Sequence, residues 1–245
     1  IKTLEPKTNK QTAISQKSQP IPVFKYQIHC RRKELAMLSL QLLTIFAFAQ
    51  LGLTDPSNPA PWPVQFTQTF KETFYYPVIG THTTTGTYYY DFKNLRYRVD
   101  RANGRYDRYC GFNGVRFFED TPCTQLTVKG ERWLIYPEKK ECCMCCTSAQ
   151  GCGILKPDWT KGALFVNSDN GMYKWNKKGF QNNYYYERQS DRRMVQLNQA
   201  PIDIQDFNAD SFKPTVNPSL FELPSYCQRK SCSFLSSCHL VNIGR

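Results

Sequence analysis

The chain has 245 residues, 40% of them hydrophobic and 21% charged, which excludes a disordered or collagen-like protein. The formal net charge is +12, but eight Lys or Arg and two Glu lie in the first 49 residues, so the rest of the chain carries only +6. A charge of that size does not demand a nucleic-acid partner. Aromatic residues make up 14% of the chain, which favours strands over helices.

The first 63 residues are predicted to lie outside the folded domain. An apolar run over residues 37–49 is shorter than the roughly 20 residues that cross a bilayer, and it ends in Ala47-Phe48-Ala49. Small residues at those positions predict a signal peptide over 37–49, preceded by a leader or upstream read-through over 1–36. A buried helix is the alternative for the run. The Pro-rich segment 50–63 is predicted to be an extended linker.

Residues 64–245 are predicted to form one antiparallel β domain with little helix. Short runs alternate with period two, beginning at Phe66/Gln68/Phe70 and Tyr88/Tyr90/Phe92. Turn signals separate the runs about every ten residues, and no long run has helical periodicity. The turn signals include Ala102-Asn103-Gly104, Asn113-Gly114, Lys129-Gly130, Asn170-Gly171 and Lys178-Gly179, and a further strand is predicted at Phe117 and Phe118.

Ten cysteines follow residue 49, and an even number in an exported chain predicts a disulfide framework. A zinc site in the segment 142–152 is the alternative, because closely spaced thiolates suit that ion. Adjacent cysteines such as Cys142 and Cys143 point in different directions, however, and suit bridges to two separate elements. Disulfides and a secreted, extracellular or lysosomal location are therefore favoured, with no metal site. The ten are Cys110, Cys123, Cys142, Cys143, Cys145, Cys146, Cys152, Cys227, Cys232 and Cys238.

Few residues point to catalysis, and no catalytic residue is predicted. His82 and His239 belong to no recognisable nucleophile signature. A glycosidase-type carboxylate pair is defined by spacing in three dimensions, so the sequence neither reveals nor excludes one. Acidic residues near predicted strand ends are Asp91, Asp100, Asp107 and Glu187. Asp203, Asp206 and Asp210 lack the Gly and Glu of an EF-hand calcium loop.

Bulky rings recur on single faces of the predicted strands, and they have two interpretations. They pack in an ordinary core, or they line an apolar cavity on a curved sheet. The second interpretation makes them candidate ligand-binding residues. The candidates are Tyr88, Tyr90, Phe92, Tyr97, Trp133, Trp175, Tyr184 and Tyr186.

The order of several motifs resembles the ependymin-related proteins and a group of similar secreted plant and protist proteins. The motifs extend over nearly the whole of the chain after residue 49. Their order and the closing Pro-Ser-x-Phe-x-x-Pro-Ser-x-Cys are more specific than any single motif. The matching segments are Ala60–Phe66, Tyr89–Arg98, Arg132–Tyr136, Gly153–Trp159, Tyr184–Glu187 and Pro218–Cys227.

The resemblance implies a half-open antiparallel β-barrel similar to bacterial lipoprotein carriers, with a hydrophobic pocket, export to the exterior or the lysosome, and a homodimer. It also implies bridges from the middle of the chain to its tail. Cys142 or Cys143 would pair with Cys227, and Cys110 or Cys123 would pair with Cys232 or Cys238. Some members bind calcium, but no calcium ligands can be mapped onto this sequence, so no cofactor is predicted.

Together these features predict a non-enzymatic protein that binds a hydrophobic or lipid-like ligand on the concave face of a sheet. Basic residues at the rim, such as Arg96 and Arg98, would meet the headgroup. Peripheral contact with an acidic membrane or a glycan is a further expectation, and nucleic acid is not a predicted partner. A secreted glycan-active hydrolase and a matrix or adhesion protein are the alternatives.

Overall fold

A computed structural model describes residues 55–78, 80–111, 119–179, 182–199, 202–233 and 236–238. The predicted leader and signal peptide, the Asn113-Gly114 turn, the strand at Phe117 and Phe118, and His239 lie outside these residues. Among the described residues, no helix is long and apolar enough to span a membrane.

Antiparallel pairing joins eleven described strands into one open sheet. The mainly β, antiparallel fold class with minor helix is confirmed, because the helical elements of the described chain are short 3-10 turns. The strands are β1 (Gln65–Tyr76), β2 (Gly80–Asp91), β3 (Arg96–Arg101), β4 (Cys123–Val128), β5 (Glu131–Tyr136), β6 (Glu141–Thr147), β7 (Leu164–Asp169), β8 (Met172–Lys178), β9 (Asn182–Arg188), β10 (Met194–Gln199) and β11 (Asp203–Phe207). The 3-10 turns are Phe92–Asn94, Pro137–Lys139, Ser148–Gln150, Ala209–Ser211 and Pro218–Phe221.

The strand order is β6-β5-β4-β3-β2-β1-β11-β10-β9-β8-β7. Strands β1 to β6 form one meander and β7 to β11 form a second. The pairing of β1 with β11 joins the two meanders, with Phe70 opposite Phe207. The first and last strands of the chain therefore meet in the middle of the sheet.

Two predicted turns have the backbone that tight hairpins need. Lys129 and Gly130 have φ values of 51° and 76°, and Asn170 and Gly171 have φ values of 50° and 73°. Two successive positive φ values match the right-handed twist of the flanking strands, and Asn and Gly adopt them at low cost. The turn chemistry thus fixes the β4–β5 and β7–β8 hairpins.

The sheet has two differently covered faces. We define the inner face by Phe66, Phe70, Tyr88 and Tyr97, which are buried in one cluster. The outer face of β4 and β5 carries a separate cluster that includes Trp133 and is covered by Phe221 of the C-terminal tail. Alternation along each strand separates these faces, as the period-two pattern predicts.

The described part of the Pro-rich segment, residues 55–63, packs against the sheet, which differs from the expected linker. Trp62 is only 4% exposed, and its backbone N–H donates to the Pro157 carbonyl at 2.9 Å. The Ala60 N–H donates to a Glu187 carboxylate oxygen at 3.0 Å. Proline keeps this backbone extended, as expected. The segment nevertheless packs on the sheet, because removing the apolar indole surface from water is favourable. The described residues from Asp55 onward accordingly form one compact unit.

Five disulfides stabilise the described chain. They are Cys110–Cys123, Cys142–Cys227, Cys143–Cys232, Cys145–Cys238 and Cys146–Cys152. The Cys142–Cys227 bridge agrees with the resemblance. Pairing of Cys110 or Cys123 with the tail is wrong, because the loop after β3 folds back and places Cys110 beside Cys123 at the start of β4. The thiolate cluster suggested for zinc has all of its sulfurs in disulfides.

We expect non-reducing peptide maps to show these five bridges. The peptide that holds β6 should be linked to both ends of the segment 227–238, and the Cys110 peptide to the Cys123 peptide. The measurement is mass spectrometry of digested protein before and after reduction. A Cys110 peptide linked to the tail would contradict the observed pairing.

Candidate functional site on the inner face

The inner-face cluster contains five of the eight predicted ligand-binding residues. Tyr88, Tyr90, Tyr97 and Trp175 are buried in it, and Phe92 packs against it. Tyr90 belongs to the packed core, because its ring lies 5.3 Å from the Trp62 ring and its hydroxyl donates to the Leu155 carbonyl at 2.7 Å. Shared burial therefore brings these residues together, but not all of them face open space.

The structure places the other three candidates elsewhere. Trp133 lies in the outer-face cluster. Tyr184 and Tyr186 share the opposite face of β9, where the Lys174 ammonium lies 4.5 Å and 5.3 Å from their ring centroids. Tyr185, which the sequence interpretation left out, is 1% exposed and belongs to the inner cluster. Three consecutive tyrosines fit either register, so alternation alone could not choose the buried one.

A cavity of about 330 Å³ opens beside this cluster. Rings and aliphatic side chains form one wall. Of the eight predicted ligand-binding residues, this wall includes Tyr88 and Tyr97. The apolar wall consists of Tyr88, Tyr97, Val99, Leu155 and Leu197. The polar wall consists of Arg101, Asp107, Arg108, Gln125, Arg132, Gln199, Asp203 and Gln205, together with Tyr109. The two walls together give the cavity an amphipathic lining.

A buried ion-pair network supports the polar wall. Arg101 donates to both oxygens of Glu72 at 2.5 and 2.9 Å and lies 3.3 Å from Asp107. Gln205 also donates to Glu72, at 2.5 Å. Burial opposes the charge, but Asp107 and Glu72 outweigh it and raise the pKa of Arg101. The network is thus charged, with the Arg101 guanidinium balanced by two carboxylates, although its Nη1 has no hydrogen-bond partner.

Asp107 also holds the loop that closes the cavity. One of its oxygens accepts hydrogen bonds from the backbone N–H groups of Tyr109 and Cys110 at 3.0 and 2.8 Å. The same oxygen accepts from the Gln125 side chain at 2.8 Å. Asp107, which the sequence placed near a strand end, is therefore engaged in positioning the loop.

Arg132 is a buried cation of the polar wall that has no carboxylate partner among the described residues. It is 9% exposed, and its guanidinium lies 5.6 Å from the Tyr97 ring centroid and 5.1 Å from that of Tyr109. In the part of the chain that the structure describes, no carboxylate pairs with it, and its Nε–H has no hydrogen-bond partner. A buried charge normally has a partner, so this guanidinium is suited to an incoming anion.

Arg96 and Arg98, the predicted headgroup residues, do not reach the cavity. Arg96 pairs with Asp91 at 2.7 Å. Arg98 pairs with Asp100 at 2.8 Å and donates to the Leu220 carbonyl of the tail at 2.7 Å. Arg96 and Arg98 alternate with Tyr97 on β3, so they lie on the face opposite to that inner ring.

Asp203 adds a second unusual group to the polar wall. Burial, followed by the nearby Glu72 charge, raises its pKa to about 8, and its Oδ1 has no hydrogen-bond partner. The carboxyl is therefore mostly protonated at neutral pH and can donate a hydrogen bond. Asp206 and Asp210 do not join it, because Asp206 accepts from Gln196 and Asp210 pairs with Arg188.

This raised pKa predicts a pH-dependent stability. Between about pH 4 and 8 the folded chain holds a proton on Asp203 that the unfolded chain releases, so stability falls as pH rises through this window. The slope from this group is at most about 1.4 kcal/mol per pH unit. In denaturant titrations from pH 5 to 8, Asp203→Asn should lose stability less steeply than the native chain. Parallel curves for the two proteins would contradict the prediction.

No protein-family model matches the chain, and no curated protein sequence matches it. Among solved structures, an uncharacterized conserved protein from Thermus thermophilus is similar at 10% identity and a TM-score of 0.37, covering 76% of this chain and 95% of that one. A LolA superfamily protein from Nitrosomonas europaea is similar at 8% identity and a TM-score of 0.33, covering 67% of this chain and 92% of that one.

Proposed function

We propose that the chain is a non-enzymatic binding protein for an amphipathic ligand with an apolar body and an anionic headgroup. The apolar body contacts the wall formed by Tyr88, Tyr97, Val99, Leu155 and Leu197. Burying about ten carbons there contributes several kcal/mol before ordering costs. The resemblance to the ependymin-related proteins, which implies a hydrophobic pocket, supports the same proposal, as does its implied export to the exterior or the lysosome.

The proposal rests mainly on the environment of Arg132. It is nine-tenths buried, lines the cavity and has no carboxylate partner among the described residues. The Tyr97 and Tyr109 rings and a hydrogen bond with Tyr109 stabilise this charge in part, and a carboxylate or phosphate headgroup would supply the opposite charge that they lack. The exposed Arg108, held by a hydrogen bond to Gln199, adds positive charge at the same wall.

The hydrolase alternative has less support from this cavity. Glycoside hydrolysis needs one protonated carboxylic acid and one available carboxylate. Asp203 suits the first role, but Asp107 is engaged by Arg101, by two backbone N–H groups and by Gln125. Among the described residues that line the cavity, these are the two carboxyl groups. The arrangement favours holding a ligand over cleaving one.

Titration calorimetry with decanoate and decanol tests the proposal. Arg132→Met keeps the apolar stem and removes the charge, so decanoate binding should weaken about tenfold while decanol binding stays unchanged. Arg229→Met is the matched control, because Arg229 is 72% exposed and lies outside the cavity, so the change should leave both affinities unchanged. Failure of the native protein to bind either probe, or equal losses for both probes in Arg132→Met, would overturn the proposal.

A further inference from the structure

A second and larger hollow lies at the β6 edge of the sheet, away from the inner-face cavity. It has a volume of about 460 Å³ and runs between β6 and the C-terminal tail. We call it the tail groove. Its lining includes Tyr136, Lys140, Cys142, Tyr226, Lys230 and Ser231. Its size is within the range of small-ligand sites.

The walls of the tail groove are covalently fixed. Disulfides join Cys142 to Cys227 and Cys143 to Cys232. The Met144 N–H donates to the Lys230 carbonyl at 2.7 Å, and the Met144 carbonyl accepts from the Cys232 N–H at 3.0 Å. A ligand therefore meets walls that are already in place, which lowers the ordering cost of binding.

The charge at the tail groove is positive. Just outside it, Lys139 pairs with Glu119 at 2.7 Å and Arg229 with Glu131 at 2.5 Å. Lys140 and Lys230 are exposed and line the groove, and neither has a carboxylate partner within the described ranges. The acidic residue of the lining, Glu141, already has an interaction partner. The groove therefore offers two available ammonium groups.

The floor of the tail groove adds neutral hydrogen-bonding groups. Peptide groups two residues apart on a strand point to the same side, so those of Cys142 point outward like those of Met144. The N–H and C=O groups of Met144 are hydrogen-bonded to the tail. Those of Cys142 have no partner among the described backbone hydrogen bonds. The Ser231 hydroxyl and the Tyr226 ring also line this space. Such a surface suits a hydroxyl-rich, cyclic ligand.

We propose that the tail groove binds an anionic saccharide, in which a sulfate or carboxylate group contacts Lys140 and Lys230. Sugar hydroxyls pair with the Cys142 peptide group and Ser231, and a ring face packs on Tyr226. An added peptide strand fits less well, because the tail occupies the β6 edge at Met144. A lipid chain fits less well, because the described lining contains no Leu, Ile, Val, Met or Phe side chain that would contact an acyl chain. This site goes beyond the amphiphile cavity and does not depend on it.

Calorimetry with a heparin-derived tetrasaccharide and its desulfated counterpart tests the site on disulfide-intact protein. Lys140→Met combined with Lys230→Met should weaken binding of the sulfated probe by about 10- to 100-fold, since each lysine contributes one charge-assisted contact. Lys93→Met combined with Lys178→Met removes the same charge from exposed positions elsewhere and should change affinity less than about threefold. Decanoate binding serves as the independent readout of the inner cavity and should be unchanged in both variants.

Three results would overturn the site. One is equal loss of affinity in the two double variants, which would show a general charge effect. Another is equal binding of the sulfated and desulfated probes. The third is binding of a single-stranded oligonucleotide of equal charge with no binding of the tetrasaccharide. If the native protein bound the tetrasaccharide but not decanoate, the result would contradict the proposed inner cavity and still support the tail groove.

Discussion

Replacing Arg101 with methionine is expected to lower the free energy of unfolding by about 3–5 kcal/mol. The substitution leaves Glu72, which is 0% exposed, and Asp107 as buried carboxylates without their cation. Uncompensated buried charge costs more than the native ion pair contributes, so the loss exceeds that of a surface pair. Urea denaturation at neutral pH measures it.

A double variant separates this charge effect from lost packing. Adding Glu72→Gln to Arg101→Met removes one stranded charge, so the pair should be less destabilised than the sum of the single changes. Strict additivity in this cycle, or a loss below about 1 kcal/mol for Arg101→Met, would show that the network does not act as a buried unit.

Replacing Trp62 with alanine is expected to cost about 3–5 kcal/mol of stability, the usual range for a buried tryptophan. The indole makes edge-to-face contacts with Phe66, Tyr90 and Trp159 at centroid distances of 5.6, 5.3 and 5.5 Å. Removing it leaves a void among the rings of the inner-face cluster. Thermal unfolding followed by near-ultraviolet circular dichroism measures the effect.

Leu164→Ala is the matched control for Trp62→Ala. Leu164 lies on the edge strand β7 and is 57% exposed, so its truncation should change stability by less than about 0.5 kcal/mol. If Trp62→Ala were as mild as this control, the segment 55–63 would not belong to the cooperative unit, and the expectation of a linker would be restored.

The sequence predicts the fold better than the site because strands and turns depend on local patterns. Lys129-Gly130 and Asn170-Gly171 encode their hairpins through backbone preferences alone. The Arg132–Tyr136 segment also contains information about the site, because alternation along the strand puts Arg132 on the opposite face from Trp133. The cavity is therefore lined by Arg132 and not by the predicted Trp133.

Other features depend on contacts that local patterns do not contain. The prolines around Trp62 predict an extended backbone, but not whether its indole packs on a sheet built later in the chain. The Cys110–Cys123 bridge depends on a loop that Asp107 folds back through its hydrogen bonds. The cavity combines Arg132 of β5 with Asp203 of β11, and their proximity follows only from the strand order.

The cavity is complete only after β1 has paired with β11. Within each meander, neighbouring strands are consecutive in the chain and can pair as local hairpins. Pairing of β1 with β11 instead closes a loop of more than a hundred residues. Tyr97 and Arg132 come from the first meander, and Leu197 and Asp203 come from the second. The proposed ligand would therefore bind only after β1 and β11 have paired, so binding of a probe during refolding is expected to report that long-range pairing.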